Sequence, residues 1–566
     1  MARMIGTHEW PTRDLLSHRA AATPQRSALI DVDTGTEWTY AEFDRRVDRL
    51  AGVLESDSDV DRGGRLGIMM DTRPAFAMLF FAAMRLGVTV APLNVRETTD
   101  ELAAKVDRLD LDALVCEADT ESTAVELGTD ADSKRLPTYS VDESTTEGAG
   151  VSALSAAVDY ESDGPDLTTN TTGTTNTTGT PSAATDTTPS VDPVALESGH
   201  VQLLMFTSGT SGEPKIVRVT VGNLVASATA SAFRLGVERS DRWLCCLPMY
   251  HMGGIAPVIR STLYGTTAVI QRTFDERETA RVLDEYDISG VSLVPTMCKR
   301  LLDAGWEPAD ALRFVLLGGA PASTEFLERC READVPAYPT YGMTETASQI
   351  TTATPAEAAR HEGTVGQPLV VTDVSILGDD GEPVPAGEAG EIVVAGPTVT
   401  PGYLDEDRTT GAFCKRGLRT GDVGYRDEDG RLWILNRRSD RIVTGGENVD
   451  PGEVIDVLCT HPAIEAAAVV GLEDPEWGER VSALVVPVET NGSESNSASG
   501  VDADADSASG LLESVRAHCD DNLAGFKCPK TIGVVDSLSR THSGTVDRAA
   551  ARERLLEVGI DMTRSQ

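Results

Sequence analysis

The sequence predicts an α/β protein: a large N-terminal domain of parallel-sheet α/β subdomains plus a β part, then a small α+β C-terminal domain. Three observations carry this. Short apolar runs alternate with helical stretches over residues 65–116, and the same rhythm returns over 267–317. From about residue 374 strand-like runs and turns follow one another without helices (VSILGDDGEPV, EIVVAGP, RLWILNR). After residue 441 a short tail reads helix, strand and helix again.

The elements follow in order. Residues 65–70 (RLGIMM) and 88–92 read as short strands buried on both faces. Between them, 75–86 (AFAMLFFAAMRL) is apolar all round, the pattern of a buried helix. A charged helix over 99–108 precedes a strand at 113–116 (ALVC). Further strands are expected at 201–205, 267–270, 290–294 and 313–317. Two segments are of low complexity, 161–192 (with TTNTTGTTNTTGT) and 491–510 (with DADADSASG). They lack the apolar residues that offset chain entropy, so both are expected to be flexible surface insertions.

Composition narrows the function. The 566 residues are 40% hydrophobic and 25% charged, which is globular. No apolar run reaches the roughly 18 residues of a membrane span. The first 14 residues carry His8, Glu9 and Asp14 and do not read as a signal peptide. A cytoplasmic protein without stable membrane insertion is expected. Asp plus Glu total 90 against 49 Lys plus Arg, a net charge of −41, and seven of the bases are Lys. Such a surface repels nucleic acid, so no nucleic-acid partner is expected. At molar salt the Debye length shrinks to about 3 Å and self-repulsion fades. The composition therefore points to a halophilic, salt-loaded cytoplasm. Nine scattered cysteines without C-x-x-C spacing argue against a disulfide framework or a zinc site. The Asn-Thr-Thr triplets at Asn170 and Asn176 read as linker composition.

Six motifs carry chemistry. Residues 206–215 (FTSGTSGEPK) follow a strand with glycines, hydroxyls and a lysine, a loop suited to phosphate but not of the Walker pattern. Residues 247–254 (LPMYHMGG) place His251 at a strand end beside glycines that allow close approach. Residues 316–321 (LLGGAP) put glycines at the carboxyl end of a strand, where α/β sheets bind ligands. Residues 341–346 (YGMTET) offer an aromatic face for a base and a carboxylate for Mg²⁺. Residues 420–422 (TGD) place a carboxylate to accept from sugar hydroxyls. The sixth motif is 436–448 (NRRSDRIVTGGEN), followed by Pro451 and Glu453.

In this order, the six resemble the adenylate-forming superfamily of acyl-CoA synthetases, luciferases and peptide-synthetase adenylation domains, from about Thr12 to Arg554. The resemblance implies two half-reactions: a carboxylate attacks the α-phosphate of ATP, and a thiol, usually coenzyme A, then displaces AMP. It implies an AMP-binding N-terminal domain over 1–436 and a mobile C-terminal domain over 437–566, hinged at Ser439 and Asp440. Thr207, Ser208, Gly209, Thr210, Ser211, Gly212 and Lys215 would hold the β- and γ-phosphates. Gly319, Ala320 and Tyr341 would flank adenine, and Gly342 would be a further ATP-binding residue. Thr344 would contact the α-phosphate, Glu345 would bind Mg²⁺, Asp422 and Arg437 would hold the ribose, and His251 would line the acyl pocket. The partners implied are ATP, coenzyme A and a small-molecule carboxylic acid.

One departure stands out. The family's adenylating lysine falls in a pattern like P-R-T-x-x-G-K, and here Thr545 occupies its position. A hydroxyl supplies no positive charge, and loss of such a cation commonly costs several kcal/mol. Lys527, Lys530, Arg540 and Arg548 are the nearest replacements in sequence. A smaller departure is Asn436, where a glycine is usual. For the acid, residues 341–350 are similar to those of o-succinylbenzoate–CoA ligases of menaquinone synthesis. Those ligases carry a basic residue nine positions after the histidine; here it is Arg260. Arginine gives permanent, bidentate recognition of a second carboxylate. Gly318, Gly319 and Ser348 would shape a pocket for a flat ring. A general fatty-acyl or aryl-CoA ligase, and an adenylate-binding protein with impaired adenylation, are the alternatives.

Overall fold

The computed structural model describes residues 13–57, 60, 62–128, 136–143, 151–158, 191–207, 214–437, 442–444, 447–449, 451–475, 477–488, 503–540 and 546–562. Two large sheets form the body. In one, the order is Val151–Ala153, Thr138–Ser140, Ala113–Cys116, Arg65–Met69, Thr89–Pro92, Val201–Thr207 and Lys215–Thr220. Its strands run parallel except for the last hairpin. The other has nine strands and a parallel centre made by Phe314–Leu317, Gly290–Leu293, Arg242–Cys245 and Thr267–Ile270. Antiparallel strands close both of its edges.

The main core lies between these sheets. One cluster joins Leu29, Ala268 and Ile270 of the nine-stranded sheet to Leu66, Val90 and Leu203 of the other. The helix Pro74–Leu86 is buried along its whole length, as its uniform apolar run requires. Proline opens it and Gly87, at φ 68°, ends it in the left-handed conformation that suits glycine. Its one charged residue, Arg85, is 2% exposed and meets Asp14, Asp44 and Asp48. Three carboxylates around one guanidinium satisfy a cation that could not otherwise be buried.

The β part expected from residue 374 is a separate antiparallel sheet, running from Asp373–Leu377 through Gly390–Ala395 and Gly417–Arg426 to Leu432–Arg437. The tail forms a six-stranded sheet centred on Gly478–Pro487, with its own core including Val454, Val481 and Ile532. Lys299 of the body pairs with Glu465 of the tail at 3.7 Å. Among the described residues no helix is long and apolar enough to cross a membrane.

Two expectations change. Residues 503–510, read as flexible chain, open the helix Ala503–Asn522. Leu512, Val515 and Cys519 anchor that helix in the core, and helix propagation then extends back into the Ala-rich polar run. His251 is not at a strand end. The strand Arg242–Cys245 stops earlier, and His251 is the N-cap of the helix Met252–Tyr264.

Candidate active site

The strand Ala337–Met343 delivers Tyr341 and then turns sharply through Thr344–Thr346. Ala347 (φ 51°) and Ser348 (φ 117°) complete the reversal into the strand Ser348–Thr352. The turn is tight enough to need Gly342, since a Cβ there would meet the Ser348 carbonyl oxygen at 1.8 Å. Ser227 Oγ donates to the Ala347 carbonyl at 2.7 Å and pins the turn from the helix Val221–Leu235. Thr344 is left half-buried and Glu345 almost fully buried.

Glu345 sits in a cluster of charges. Tyr403 Oη donates to Glu345 Oε1 at 3.0 Å. Lys215 Nζ lies 5.0 Å from the centre of the Tyr403 ring. The reason is a local pairing: Leu404 N donates to the Ile216 carbonyl at 2.8 Å and Arg218 N to the Gly402 carbonyl at 3.1 Å. Burial pushes the Glu345 carboxyl above its ordinary value; its own backbone, Tyr403, Lys215 and Arg437 pull the other way. Among the described residues no group of three metal-ligating side chains occurs. One carboxylate still fits Mg²⁺, which keeps several waters and takes substrate phosphates as its other ligands.

Asp422 organises the adjoining part. Tyr341 Oη donates to its Oδ2 at 2.6 Å, and Arg437 Nε lies 3.3 Å from its Oδ1. Asp422 and Arg437 are register partners on neighbouring antiparallel strands, so sheet pairing sets this ion pair. Burial first, and the Asp422 charge second, hold the Tyr341 phenol well above its ordinary value. It stays a neutral donor. Gly318, Gly319 and Ala320 follow the strand Phe314–Leu317, which pairs with Ala337–Met343, so they lie beside Tyr341. Gly319 takes φ 78°, a left-handed backbone that glycine adopts freely.

The acyl side is built on the helix Met252–Tyr264. His251 is exposed at its start, with the Tyr250 ring edge-on at 4.8 Å. Arg260 lies about 13 Å further along, at 1.5 Å per residue. It is 2% exposed, and its guanidinium stands over the Trp243 ring at 5.3 Å. Among the described residues no carboxylate lies within ion-pair distance, and Nη2 has no hydrogen-bond partner. Burial pulls its pKa down, with the nearby Tyr264 acting in the opposite sense. A buried, unpaired guanidinium is costly unless an anion arrives.

The structure therefore gathers Lys215, Tyr341, Glu345, Asp422 and Arg437, and keeps His251 at the start of the helix Met252–Tyr264 with Arg260 one turn before its end. Ser208, Gly209, Thr210, Ser211, Gly212, Ser439, Asp440 and Thr545 lie outside the described residues. Sequence reading missed Tyr403 and Trp243. A glycine-tyrosine pair at 402–403 is the faint signal for the first. Trp243 carried none.

A model of the AMP-binding enzyme family matches residues 16–404, and one of the AMP-binding enzyme C-terminal domain matches 453–545. The chain belongs to the AMP-binding enzyme family. Among relatives of this AMP-binding enzyme is the 2-succinylbenzoate–CoA ligase of Bacillus pumilus, 32% identical over 94% of this chain and 96% of that one. The ligase of the same name from Bacillus subtilis is 33% identical, over 94% and 96%. A solved structure of the o-succinylbenzoate CoA synthetase of Bacillus subtilis, in complex with its acyl-adenylate intermediate, superposes with a TM-score of 0.78. It is 30% identical and covers 95% of this chain and 98% of that one. The same synthetase with ATP and magnesium gives 0.76 at 29% identity, covering 96% and 99%. These matches bear out the expected adenylate-forming fold of this AMP-binding enzyme.

Proposed function

We propose that the chain is an ATP-dependent carboxylate–CoA ligase that converts o-succinylbenzoate to its coenzyme A thioester in menaquinone synthesis. The observation that carries the substrate is Arg260. Among the described residues its buried guanidinium has no protein anion within reach, and a dicarboxylic acid supplies one while its other carboxylate reacts. Relatives that share about a third of their residues over nearly the whole chain carry this ligase's name.

In the first step an oxygen of the acid attacks the α-phosphorus of ATP and pyrophosphate leaves. Catalysis is mainly positioning and charge neutralisation. Asp422 and Arg437 hold the ribose, and Tyr341, Gly342, Gly319 and Ala320 enclose the base. Thr344 reaches the α-phosphate, while Thr207, Lys215 and the 208–212 loop take the outer phosphates. Mg²⁺ held by Glu345 would neutralise phosphate charge. His251, Gly318 and Ser348 shape the acyl pocket. In the second step the coenzyme A sulfur attacks the acyl carbonyl and AMP leaves. We place the domain boundary at 436/437, with Ser439 and Asp440 as the hinge.

Thioester formation from o-succinylbenzoate, ATP and Mg²⁺ tests this, with benzoate and a medium-chain fatty acid beside it. Turnover of o-succinylbenzoate alone, lost in Arg260→Ala, is expected. Turnover of the fatty acid instead sinks the substrate assignment. Thr545 favours a second reading, an adenylate-binding protein slow in the first step, which predicts ATP binding without pyrophosphate release. The charge of −41 supports a salt-rich working environment. Melting followed by circular dichroism should then show a higher midpoint at about 3 M KCl, where the Debye length is short, than at about 0.1 M.

A further inference from the structure

Thr72 follows the strand Arg65–Met69 and precedes Arg73, the N-cap of the helix Pro74–Leu86. It is 2% exposed. Its hydroxyl donates to the Leu247 carbonyl at 3.0 Å and accepts from Met249 N at 3.1 Å. One side chain thus closes both ends of a three-residue segment. From there the hold passes on directly: the Pro248 carbonyl accepts from His251 N at 3.0 Å. The segment also rests on the helix start, since a Cβ at Gly254 would lie 2.1 Å from the Pro248 oxygen.

The other side of Thr72 is fixed as well. Asp71 N donates to Glu117 Oε1 at 2.7 Å. Glu117 is 1% exposed, and its Oε2 takes Arg73 Nη1 at 3.0 Å and Arg272 Nη2 at 2.5 Å. Arg272 follows the strand Thr267–Ile270 of the nine-stranded sheet, while Glu117 and Thr72 follow strands of the other. The carboxyl ends of the two sheets are therefore cross-linked through a charge-assisted network centred on the buried Glu117 carboxylate, the kind that rigidifies rather than merely stabilises.

We propose that Thr72 is a positioning residue for His251, fixing where the imidazole stands against the reacting carboxylate. The inference rests on the reading of His251 as an acyl-pocket residue and extends it to a side chain on the opposite sheet. A hydroxyl is needed because one atom must both donate and accept. Valine has the same shape and does neither.

The test compares Thr72→Val, Thr72→Ser, His251→Ala and the Thr72→Val/His251→Ala double variant by pyrophosphate exchange with o-succinylbenzoate. Thr72→Val is expected to lower kcat about 10- to 100-fold, the scale of a misplacement near 1 Å, with KM for ATP unchanged. Thr72→Ser restores most of the rate. In the His251→Ala background Thr72→Val costs nothing more, because the two residues act as one unit. Full activity of Thr72→Val, or an equal loss in both backgrounds, overturns the proposal. If His251→Ala itself keeps full activity, the reading of His251 has failed and the proposal falls with it. Amide exchange over 247–251 then still reports the clamp: faster exchange in Thr72→Val than in Thr72→Ser shows that the hydroxyl holds the segment. If Thr72→Val does not fold, Thr72→Ala takes its place with the same readouts.

Discussion

The Tyr403 hydroxyl donates to Glu345 Oε1 at 3.0 Å and so joins two segments 58 residues apart in sequence. A hydrogen bond to a charged group contributes about 1.5–3 kcal/mol. Tyr403→Phe removes it and leaves the ring beneath Lys215. The Mg²⁺ concentration for half-maximal pyrophosphate exchange should rise about tenfold, the equivalent of about 1.4 kcal/mol. KM for the acid should not move. An unchanged Mg²⁺ requirement would argue against Glu345 as the ion's ligand.

Arg260 sets function against stability. Its guanidinium is buried beside Trp243, and no described residue offers it an anion. Replacing buried charge by apolar volume often stabilises by about 1–4 kcal/mol. Arg260→Met should therefore melt higher than the parent while losing o-succinylbenzoate turnover. A lower melting temperature would show that the guanidinium is satisfied within the protein.

Thr545→Lys restores the charge that the family pattern places at that position. The rate of acyl-adenylate formation, followed by pyrophosphate exchange, should increase by at least about tenfold if no other cation fills the role. No increase would mean that another residue already supplies it. Lys527→Ala, Lys530→Ala, Arg540→Ala and Arg548→Ala in turn identify which residue that is. In the folded chain Lys527 pairs with Glu453 at 2.6 Å and Lys530 lies 3.6 Å over the Trp477 ring.

The sequence revealed those residues whose chemistry is local. Strands such as Ala113–Cys116 and Thr267–Ile270 were legible because a strand buried on both faces must be apolar throughout. Glu345, Asp422 and Arg437 were legible through the motifs that carry them. Tyr403, Trp243 and Thr72 were not. Each acts through a partner distant in sequence and brought near only by the tertiary fold, and an isolated tyrosine, tryptophan or threonine has no spacing to betray it. The helix start at 503–510 was hidden for a related reason. Its stability comes from core residues that follow it, not from its own polar composition.

The small C-terminal unit should lose stability in mild acid. His461 is buried at the contact between two of its helices, with Nε2 2.9 Å from Ser514 Oγ and Nδ1 accepting from Ala463 N at 3.2 Å. Burial, and then the neighbouring His518, push its pKa below the ordinary value. The unfolded chain therefore takes up the proton first. Stability is complete above the unfolded value of about 6.5 and declines as pH falls from there towards the lower folded value. The urea midpoint should drop across that window, and His461→Gln should flatten the drop.

Arg437 pairs with Asp422 across the sheet, and the first strand of the C-terminal unit begins only five residues later, at Ile442. On the proposed reading, the carboxylate that grips the ribose also anchors the root of the arm carrying the small unit. Nucleotide occupancy and arm orientation then share one fulcrum. A pair of dyes, one on each unit, would report the arrival of ATP as a change of colour before any bond is made. The enzyme would serve as a gauge of its own first substrate.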